Sequence, residues 1–418
     1  MFITESNNVP VAGEYDVIVC GGGVAGVSAA LAANRLGKKV LLLEKSFMLG
    51  GLATLGHVNL FVSMCNGRGK KIIKGMCEEL LNDSIRYGFD TLADEWRDGK
   101  EPDYQPKRRY ETKFSAFIFA LVLMEKLDDC GIKLLFDSVV SMPVMEGGHC
   151  KGIIVESKSG RQFYGAKMIV DTTGDADILY RAGMPTETGR NFFTHDVWMT
   201  DMEHIKKAAE SGNLQDAIYE ICGGGASLHG TGHPEGMKTF TGVTAEEITE
   251  YIIMNRKIIL DKIKKSDRLS REILSMPGMP QFRETRHLVG DSVFAADKYV
   301  HFDDSVAAVN DFEYRDYLYE ISYGCLVKTG FDNIITAGRS ISCSGWGWDV
   351  SRVIPPAIIT GQAAGIACAH AIDEEKPIYG IDVKKLQEQL AKDDVMIHFD
   401  DSLIPEKDKK ETDAGSER

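Results

Sequence analysis

The chain has 418 residues, more than one hydrophobic core usually serves, so we expect two domains. Its 48 basic and 62 acidic residues leave a net charge of −14 without a long Lys/Arg cluster, which argues against nucleic acid or an anionic membrane surface as a partner. We expect a cytoplasmic protein in a reducing compartment, since no secretory leader, no apolar run of ~18 residues and no C-x-x-C pair among its nine cysteines occurs.

The first predicted unit is a strand, a glycine turn, a helix and a second strand. Residues 16–20 are rich in valine and isoleucine, which suits a buried parallel strand. Gly21, Gly23 and Gly26 then complete the G-x-G-x-x-G pattern, in which the glycines allow a tight turn, a close approach to a pyrophosphate and close helix packing. Glu44 ends the second strand, where an acid can accept hydrogen bonds from ribose hydroxyls. The unit predicts dinucleotide binding, because a glycine turn in another kind of α/β unit would leave Glu44 unexplained.

Further elements of a nucleotide-binding domain follow along the chain. The glycine-rich loop at residues 50–54 favours close contact between its backbone and a flat ligand. Apolar spacing predicts helices over about 70–90 and 114–130. Short strands separated by glycine turns predict an antiparallel meander over 139–164, and a buried strand follows at 166–171.

The pattern then changes to helices, such as 202–211 and 245–265, that alternate with glycine loops, among them residues 223–225. We interpret this region as an inserted α+β substrate or cap domain, after which the nucleotide-binding pattern resumes. We predict a first nucleotide-binding part at residues 1–185, the insertion at 186–320, a second nucleotide-binding part at 321–395 and a polar C-terminal tail at 396–418. We expect this tail to be disordered towards its end.

Six blocks occur in order along the chain, at residues 21–26, 44–45, 50–54, 171–175, 335–339, and 352–356 with 361–365. Together they resemble the FAD-dependent oxidoreductases of the glutathione-reductase superfamily, and within it the branch of the fumarate reductase and succinate dehydrogenase flavoproteins. The resemblance implies an α/β fold, with a Rossmann-like FAD-binding domain that contains the β-meander and an inserted cap domain. It also implies FAD as the cofactor. Succinate dehydrogenase relatives attach FAD through a histidine in an H-T-x-x-A-x-G-G block, and because this chain has no such histidine, we expect non-covalent FAD.

The same resemblance implies which residues hold FAD. The glycine turn would bind the pyrophosphate, Glu44 the adenosine ribose, and the backbone at Val139 the adenine. The helix that starts near Pro356 would direct its positive end at the flavin N1/C2=O edge, where reduction adds negative charge. The expected cofactor-binding residues are Gly21, Gly23, Val24, Ala25, Gly26, Glu44, Lys45, Gly51, Thr54, Val139, Thr173, Gly174, Asp175, Gly338, Arg339, Arg352 and Pro356.

Four residues are candidates for catalysis. Arg283 and Arg286 are three positions apart, so in a helix they would share one side and could clamp a carboxylate or phosphate; the alternative is that both pair with acidic residues at a domain interface. His287 could be an acid or base, or simply a packed histidine. Arg352 precedes the flavin-facing helix, where it could contact the flavin or an anionic substrate.

Aromatic and histidine side chains supply further candidates. Trp346 and Trp348 lie in a predicted loop and are expected to line the substrate pocket; the alternative is that they pack between domains. His57, after the glycine-rich loop, is a candidate proton carrier. His229 and His233 lie in a loop broken by glycine and proline, so they do not share a helix face, and we predict no metal site.

The sequence thus predicts an FAD-dependent oxidoreductase that transfers hydride between flavin N5 and an unidentified small organic substrate. We expect no nucleic-acid partner and no membrane insertion, and a homo-oligomer is left open. Three alternative functions compete with this prediction. A flavoprotein that modifies a nucleic-acid base is disfavoured by the acidic charge, and a thiazole-synthase-like protein would be shorter. An electron-transfer subunit would need a partner, because no ferredoxin-type cysteine cluster is present.

Overall fold

The computed structural model describes residue 6, residues 8–406 and residue 408. No helix in these residues is both long and apolar enough to cross a membrane. The α-helices of this part, numbered in chain order, are α1 Val24–Arg35, α2 Met76–Ile85, α3 Ala116–Asp129, α4 Asp177–Arg181, α5 Met202–Ser211, α6 Ala245–Lys264, α7 Trp346–Ser351, α8 Ile354–Asp373 and α9 Val383–Lys392.

The strands belong to one large sheet and several small ones. In chain order they are β1 Val11–Cys20, β2 Val40–Leu43, β3 Leu60–Phe61, β4 Thr112–Lys113, β5 Lys133–Leu135, β6 Val139–Glu146, β7 His149–Ser157, β8 Gly160–Asp171, β9 Thr186–Thr188, β10 Thr194–Asp201, β11 Tyr219–Gly225, β12 Arg271–Ser275, β13 Arg286–Leu288, β14 Ser305–Asn310, β15 Leu318–Ser322 and β16 Ile334–Thr336. The large sheet has the strand order β5-β2-β1-β8-β7-β6, and β16 pairs with β8.

Strand β8 joins the parts of the chain that lie before and after the insertion. It runs parallel to β1, with Val170 opposite Val19, and antiparallel to β7 of the meander. Its last three residues pair in parallel with β16, where Ile335 lies opposite Val170. The predicted α/β class is therefore confirmed, with the carboxyl ends of β1, β8 and β16 together at one edge of the sheet.

Helices α1 and α8 pack closely against each other, because glycine removes side chains from their contact. A Cβ atom on Gly361 would lie 2.2 Å from the carbonyl oxygen of Ala25, and one on Gly365 would lie 2.3 Å from that of Ala29. Both helices are buried along most of their length. This contact places the N-terminus of α8 beside the glycine turn that precedes α1.

The inserted region forms a separate three-stranded antiparallel sheet, β11-β10-β12. Val197 and Met199 of β10 pack on Ile259 of α6. The prediction of a glycine loop at residues 223–225 is wrong, because these residues end strand β11. Their glycines serve packing instead, since a Cβ on Gly224 would lie 2.3 Å from the Phe193 ring.

Three further segments differ from expectation. Helix α2 starts six residues later than the predicted 70–90 helix, after the turn at Gly75. Residues 346–351, expected as a loop, form α7. The expected polar tail from residue 396 starts with a packed segment, in which Phe399 and Ile404 are buried against β14 and β15. Residues 407 and 409–418 of that tail lie outside the described residues.

Candidate functional site

A cavity of about 990 Å³ lies at the carboxyl edge of the large sheet and extends to the inserted region. Glu44 and Val139 line one end of it. His57, Asp196 and Arg283 line another part, where β10 and the segment after β12 face the glycine-rich loop. Its volume is at the upper end of the range of ~300–1,000 Å³ for ligand sites, which is suited to a long ligand.

The glycine turn combines two crowded positions with one open position. Gly21 has φ 111°, and a Cβ there would lie 2.4 Å from the carbonyl oxygen of Thr172. A Cβ on Gly26 would lie 1.9 Å from the carbonyl oxygen of Gly21, whereas a Cβ on Gly23 would meet nothing within 4 Å. Gly21 and Gly23 line the cavity. The open space at Gly23 is therefore free for a ligand, which is the arrangement that a pyrophosphate requires.

Glu44 is held rigidly at the end of β2. Its carboxylate accepts hydrogen bonds from the backbone N–H groups of Gly22 and Ser46, each at 2.8 Å. The side chain is buried and still lines the cavity. Because a carboxylate has about four acceptor positions, Glu44 retains lone pairs for ribose hydroxyls.

Most of the residues predicted to bind the cofactor line this cavity: Gly21, Gly23, Val24, Ala25, Glu44, Lys45, Gly51, Val139, Thr173, Gly174, Gly338, Arg339 and Arg352. Four others lie behind its wall. Gly26 is a packing position, and Pro356 is buried in the first turn of α8. Thr54 donates a hydrogen bond to the carbonyl oxygen of Leu49 at 2.5 Å. The Asp175 carboxylate faces protein groups, as described next.

Arg339 fastens two cavity walls together. Its Nη2 donates to Asp175 Oδ1 at 2.7 Å and its Nε to the carbonyl oxygen of Gly174 at 2.6 Å. Its Nη1 donates to the carbonyl oxygen of Phe282 at 2.6 Å, and Thr285 also donates to Asp175 Oδ1 at 2.8 Å. The Arg339 side chain thus joins the loop after β8 to the segment that precedes β13.

Two of the predicted catalytic residues do not reach the cavity. Residues 283–286 are not helical, since Arg286 begins strand β13. Arg286 donates to Asp177 Oδ1 at 2.8 Å and packs over the ring of Tyr180. His287 is buried and donates from Nδ1 to the carbonyl oxygen of Leu288 at 2.7 Å. The predicted Arg283–Arg286 clamp is therefore wrong. Arg286 pairs with Asp177 and not with Glu284, Asp291 or Asp297, the partners of the alternative prediction, and His287 is packed inside the protein.

The two tryptophans also point away from the cavity, so the prediction that they line it is wrong. Trp346 donates from Nε1 to Asp311 Oδ2 at 2.6 Å and stacks on Phe312. Trp348 is buried, donates from Nε1 to the carbonyl oxygen of Arg339 at 2.9 Å, and meets the His287 ring edge-on. Both belong to the packing around α7.

Arg283 and Arg352 do line the cavity, and their surroundings differ. Arg352 directs Nε and Nη2 to Asp349 Oδ1, at 3.0 and 2.7 Å, so its charge is partly balanced. Arg283 donates from Nη1 to the carbonyl oxygen of Ser227 at 2.9 Å, and no carboxylate of the described chain forms an ion pair with it. Burial and the nearby Arg352 charge lower the pKa of Arg283. The more distant carboxylates of Asp349 and Asp196 raise this pKa in part. The cavity thus contains a half-buried guanidinium that no carboxylate of the described residues contacts directly.

His57 occupies a strained and apolar position on the cavity wall. It has φ 64°, a left-handed conformation that few residues other than glycine adopt. Its ring stacks on Trp198 at 4.1 Å, and Nε2 lies 2.8 Å from Ser275 Oγ. Burial lowers the pKa of His57 to about 4, so the imidazole is neutral at pH 7.

Asp196, which sequence reasoning missed, lines the cavity from β10. Its Oδ1 atom is buried and has no hydrogen-bond partner in the described chain. Thr194 and Trp198 line the cavity from the same strand, whereas Val197 and Met199 pack on α6. The sequence signal that could have identified Asp196 is the alternation of side chains along a strand, since residues 194, 196 and 198 face one side and 197 and 199 the other.

The N-terminus of α8 borders the cavity at Val353 and Ile354. Prolines occupy its first turn, and no side chain caps it. Together with the equally uncapped start of α1, it offers the cavity a second source of partial positive charge.

The fold and this cavity define an α/β protein of the nucleotide-binding class. The chain belongs to the FAD dependent oxidoreductase family, whose model matches residues 16–233 and 243–390. It is an FAD-dependent oxidoreductase with FAD as its cofactor, and the open Gly23, the fixed Glu44 carboxylate and the two uncapped helix ends suit that cofactor.

Curated relatives match a part of the chain. The tRNA uridine 5-carboxymethylaminomethyl modification enzyme MnmG of Bacillus thuringiensis (strain Al Hakam) is 32% identical over 187 residues, which cover 41% of this chain and 27% of the relative. The MnmG of Bacillus subtilis (strain 168) is 31% identical over 187 residues, with the same coverage. The match spans about a quarter of the length of these relatives.

Solved structures of flavoproteins also resemble the chain. The myxobacterial chondrochloren halogenase CndH superposes with a TM-score of 0.48 at 15% identity, covering 90% of this chain and 78% of its own. A geranylgeranyl bacteriochlorophyll reductase-like protein of Thermoplasma acidophilum gives a TM-score of 0.45 at 13% identity, covering 92% and 84%.

The glycine turn generates a test of cofactor binding. Gly23→Val should abolish FAD binding and leave the fold intact, because its side chain would enter open cavity space and not protein. The measurements are flavin absorbance of the purified protein and circular dichroism. Gly225→Val is the matched control: Gly225 is an exposed residue at the end of β11, so this variant should retain the flavin. A Gly23→Val protein that is still yellow would contradict this role.

Two buried histidines should make the protein sensitive to acid. Burial lowers the pKa of both His57 and His195 to about 4, so the unfolded chain binds their protons first as the pH falls. Stability should therefore decrease from about pH 6.5 to about pH 4, and be unaffected by these groups above that window. His195→Asn should reduce the change in urea midpoint between pH 7 and pH 5. An unaltered pH dependence in this variant would exclude His195 as a contributor.

Proposed function

We propose that the enzyme transfers hydride between flavin N5 and a small organic anion, and that Arg283 and Arg352 bind the anionic group. The observation that carries this proposal is the half-buried Arg283 guanidinium, which lines the cavity beside the like-charged Arg352 and forms no direct ion pair with a carboxylate of the described residues. A buried charge is costly unless it is paired, so this site favours a ligand that brings the missing negative charge. Guanidinium groups bind carboxylates and phosphates through two parallel hydrogen bonds.

We assign the proton transfer to Asp196. Asp196 lines the same cavity as Arg283, and its buried Oδ1 atom has no hydrogen-bond partner in the described chain. FAD, when bound, supplies a hydride acceptor or donor, and the substrate must lose or gain a proton in the same reaction. Neutral His57, stacked on Trp198, would then serve as an apolar wall that excludes water, and not as a cation.

Several finer statements belong to the same proposal. FAD would be held non-covalently, by the glycine turn, Glu44 and the start of α8. The membership of the branch with fumarate reductase is supported by the six sequence blocks. An insertion that starts near residue 186 is supported by the sheets, since β16 returns to the large sheet whereas β10, β11 and β12 form their own. The boundary at residue 320 is not supported, because β15 crosses it and Tyr319 packs in the same core as Val170.

A second candidate, modification of a nucleic-acid base, rests on the partial similarity to MnmG. The net charge of −14 opposes it, because phosphate contacts supply much of the affinity for nucleic acids. A gel-shift titration with total tRNA at low salt separates the two proposals. Specific tRNA binding would favour this second candidate over a free small anion.

A substrate screen tests the proposed function. The flavoprotein is photoreduced, and carboxylates and phosphates are screened for flavin reoxidation by stopped flow, each beside its neutral amide or ester; the oxidised protein is screened for reduction in the same way. We expect turnover with an anion and a loss of at least about 100-fold in kcat/KM with its neutral analogue, which corresponds to about 2.7 kcal/mol. Arg283→Met should raise KM, and Asp196→Asn should lower kcat. Equal rates with an anion and its neutral analogue would refute the proposal.

Arg352 and Asp349 should tune the flavin in opposite directions. Reduction adds negative charge at the flavin, so Arg352→Met should lower its reduction potential and Asp349→Asn should raise it. A change of about 1.4 kcal/mol corresponds to about 30 mV for a two-electron couple. Spectroelectrochemistry of both variants measures the shifts. Unchanged potentials in both would restrict Arg352 to substrate binding.

A further inference from the structure

A cluster of histidine and carboxylate side chains lies outside the flavin cavity. His301 Nδ1 is 2.5 Å from Glu320 Oε1, and His398 Nδ1 is 3.0 Å from Glu320 Oε2. One donor atom from each of these three residues lies within 4.8 Å of the others. They come from the loop before β14, from strand β15 and from the segment after α9. The fold therefore brings together three ligand-type side chains from distant parts of the sequence.

Glu320 is the buried carboxylate at the centre of the cluster. Its side chain has 0% exposure, and its ion-pair partners in the described chain are the two histidines. A buried carboxylate needs a compensating charge, which either a protonated histidine or a bound cation supplies. The backbone N–H of Phe302 donates to Oε2 at 2.9 Å, which fixes the carboxylate without neutralising it.

The surroundings of His301 match those of a metal-binding histidine. Its second nitrogen, Nε2, lies 2.8 Å from Asp401 Oδ1, and its ring stacks on Phe399 at 4.2 Å. Metal-binding histidines usually donate their other N–H to a carboxylate, which fixes the ring and raises its basicity. The His301 and His398 side chains are 40% and 48% exposed, so an ion can enter from solvent.

We propose that His301, Glu320 and His398 bind a divalent transition-metal ion of the zinc type, with the fourth position open to water. Two imidazole nitrogens and one carboxylate are a ligand set that zinc accepts, whereas calcium and magnesium prefer oxygen ligands. Tetrahedral bonds of about 2.0 Å separate ligand atoms by roughly 3.3 Å, so small side-chain rotations suffice. The ion would replace the proton on each Nδ1 and neutralise Glu320.

The expected role is structural. The ion would tie the segment that contains His398 to the β14–β15 hairpin, where Phe399 and Ile404 already pack. None of the three ligands lines the flavin cavity, so loss of the ion should lower thermal stability and leave the bound FAD in place. This inference is therefore independent of the proposed substrate.

The test is a titration of the chelator-treated, FAD-loaded protein with ZnCl₂ by isothermal calorimetry, in two buffers of different ionisation enthalpy. We expect one Zn²⁺ per chain, release of protons and a rise in Tm. Glu320→Gln and His398→Gln should abolish this binding, and Asp401→Asn should weaken it by about 10- to 100-fold. His204→Gln is the matched control, because His204 is a part-exposed histidine beside a single carboxylate, Asp201, and it should bind Zn²⁺ like the wild type.

Substitution with Co²⁺ identifies the ligands, since a thiolate charge-transfer band would reveal binding at one of the nine cysteines instead. His398→Gln changes a largely exposed side chain and is expected to fold, which keeps the test valid if Glu320→Gln does not. The proposal is overturned if the wild type binds no Zn²⁺, or if His398→Gln binds it equally well. In the former case, a wild-type Tm that falls as the histidines lose their protons would identify the cluster as a proton-dependent ion pair.

Discussion

Close approach of backbone at the glycine turn is the constraint on which the cavity depends. The carbonyl oxygen of Thr172 occupies the space where Gly21 would carry a side chain, and the carbonyl of Gly21 does the same for Gly26. Thr172 also donates from Oγ1 to the carbonyl oxygen of Gly21 at 2.8 Å. The turn is therefore fixed by β8 as well as by its own unit. Helix α8 is then held against α1 through Gly361, so segments from both sides of the insertion build one site.

The net charge of the whole chain and the charge of the arginines in the cavity have opposite signs. The whole chain carries a net charge of −14, yet Arg283 and Arg352 line the cavity. An acidic surface repels nucleic acids and other polyanions, whereas a small anion can be bound by a local pair of guanidiniums. The two features together favour a compact substrate over a polymer.

The sequence predicted the nucleotide-binding half well, because its signals are local. The strand, the turn and Glu44 lie within one short segment, and backbone geometry requires glycine at fixed positions. Residues near Arg283 were harder to predict, since three-residue spacing suggests a shared face only in a helix, and β13 begins at Arg286. Predicting that Asp196 lines the cavity required recognising a strand within the insertion. The residues around Glu320 could not be predicted, because they meet only through tertiary packing across about a hundred positions.

The bonds of Arg339 have a consequence for how a substrate enters. Since Arg339 joins the loop after β8 to Phe282, the segment that contains Arg283 cannot swing away without breaking charge-assisted hydrogen bonds. An opening motion would more easily separate residues 55–57 from residues 275–281, which are joined by bonds such as that from Gln281 Nε2 to the carbonyl oxygen of Gly56. Arg283 would then keep its place in the open and closed forms. The proposed anion site would be preorganised before the substrate arrives, so binding would cost little free energy for ordering it.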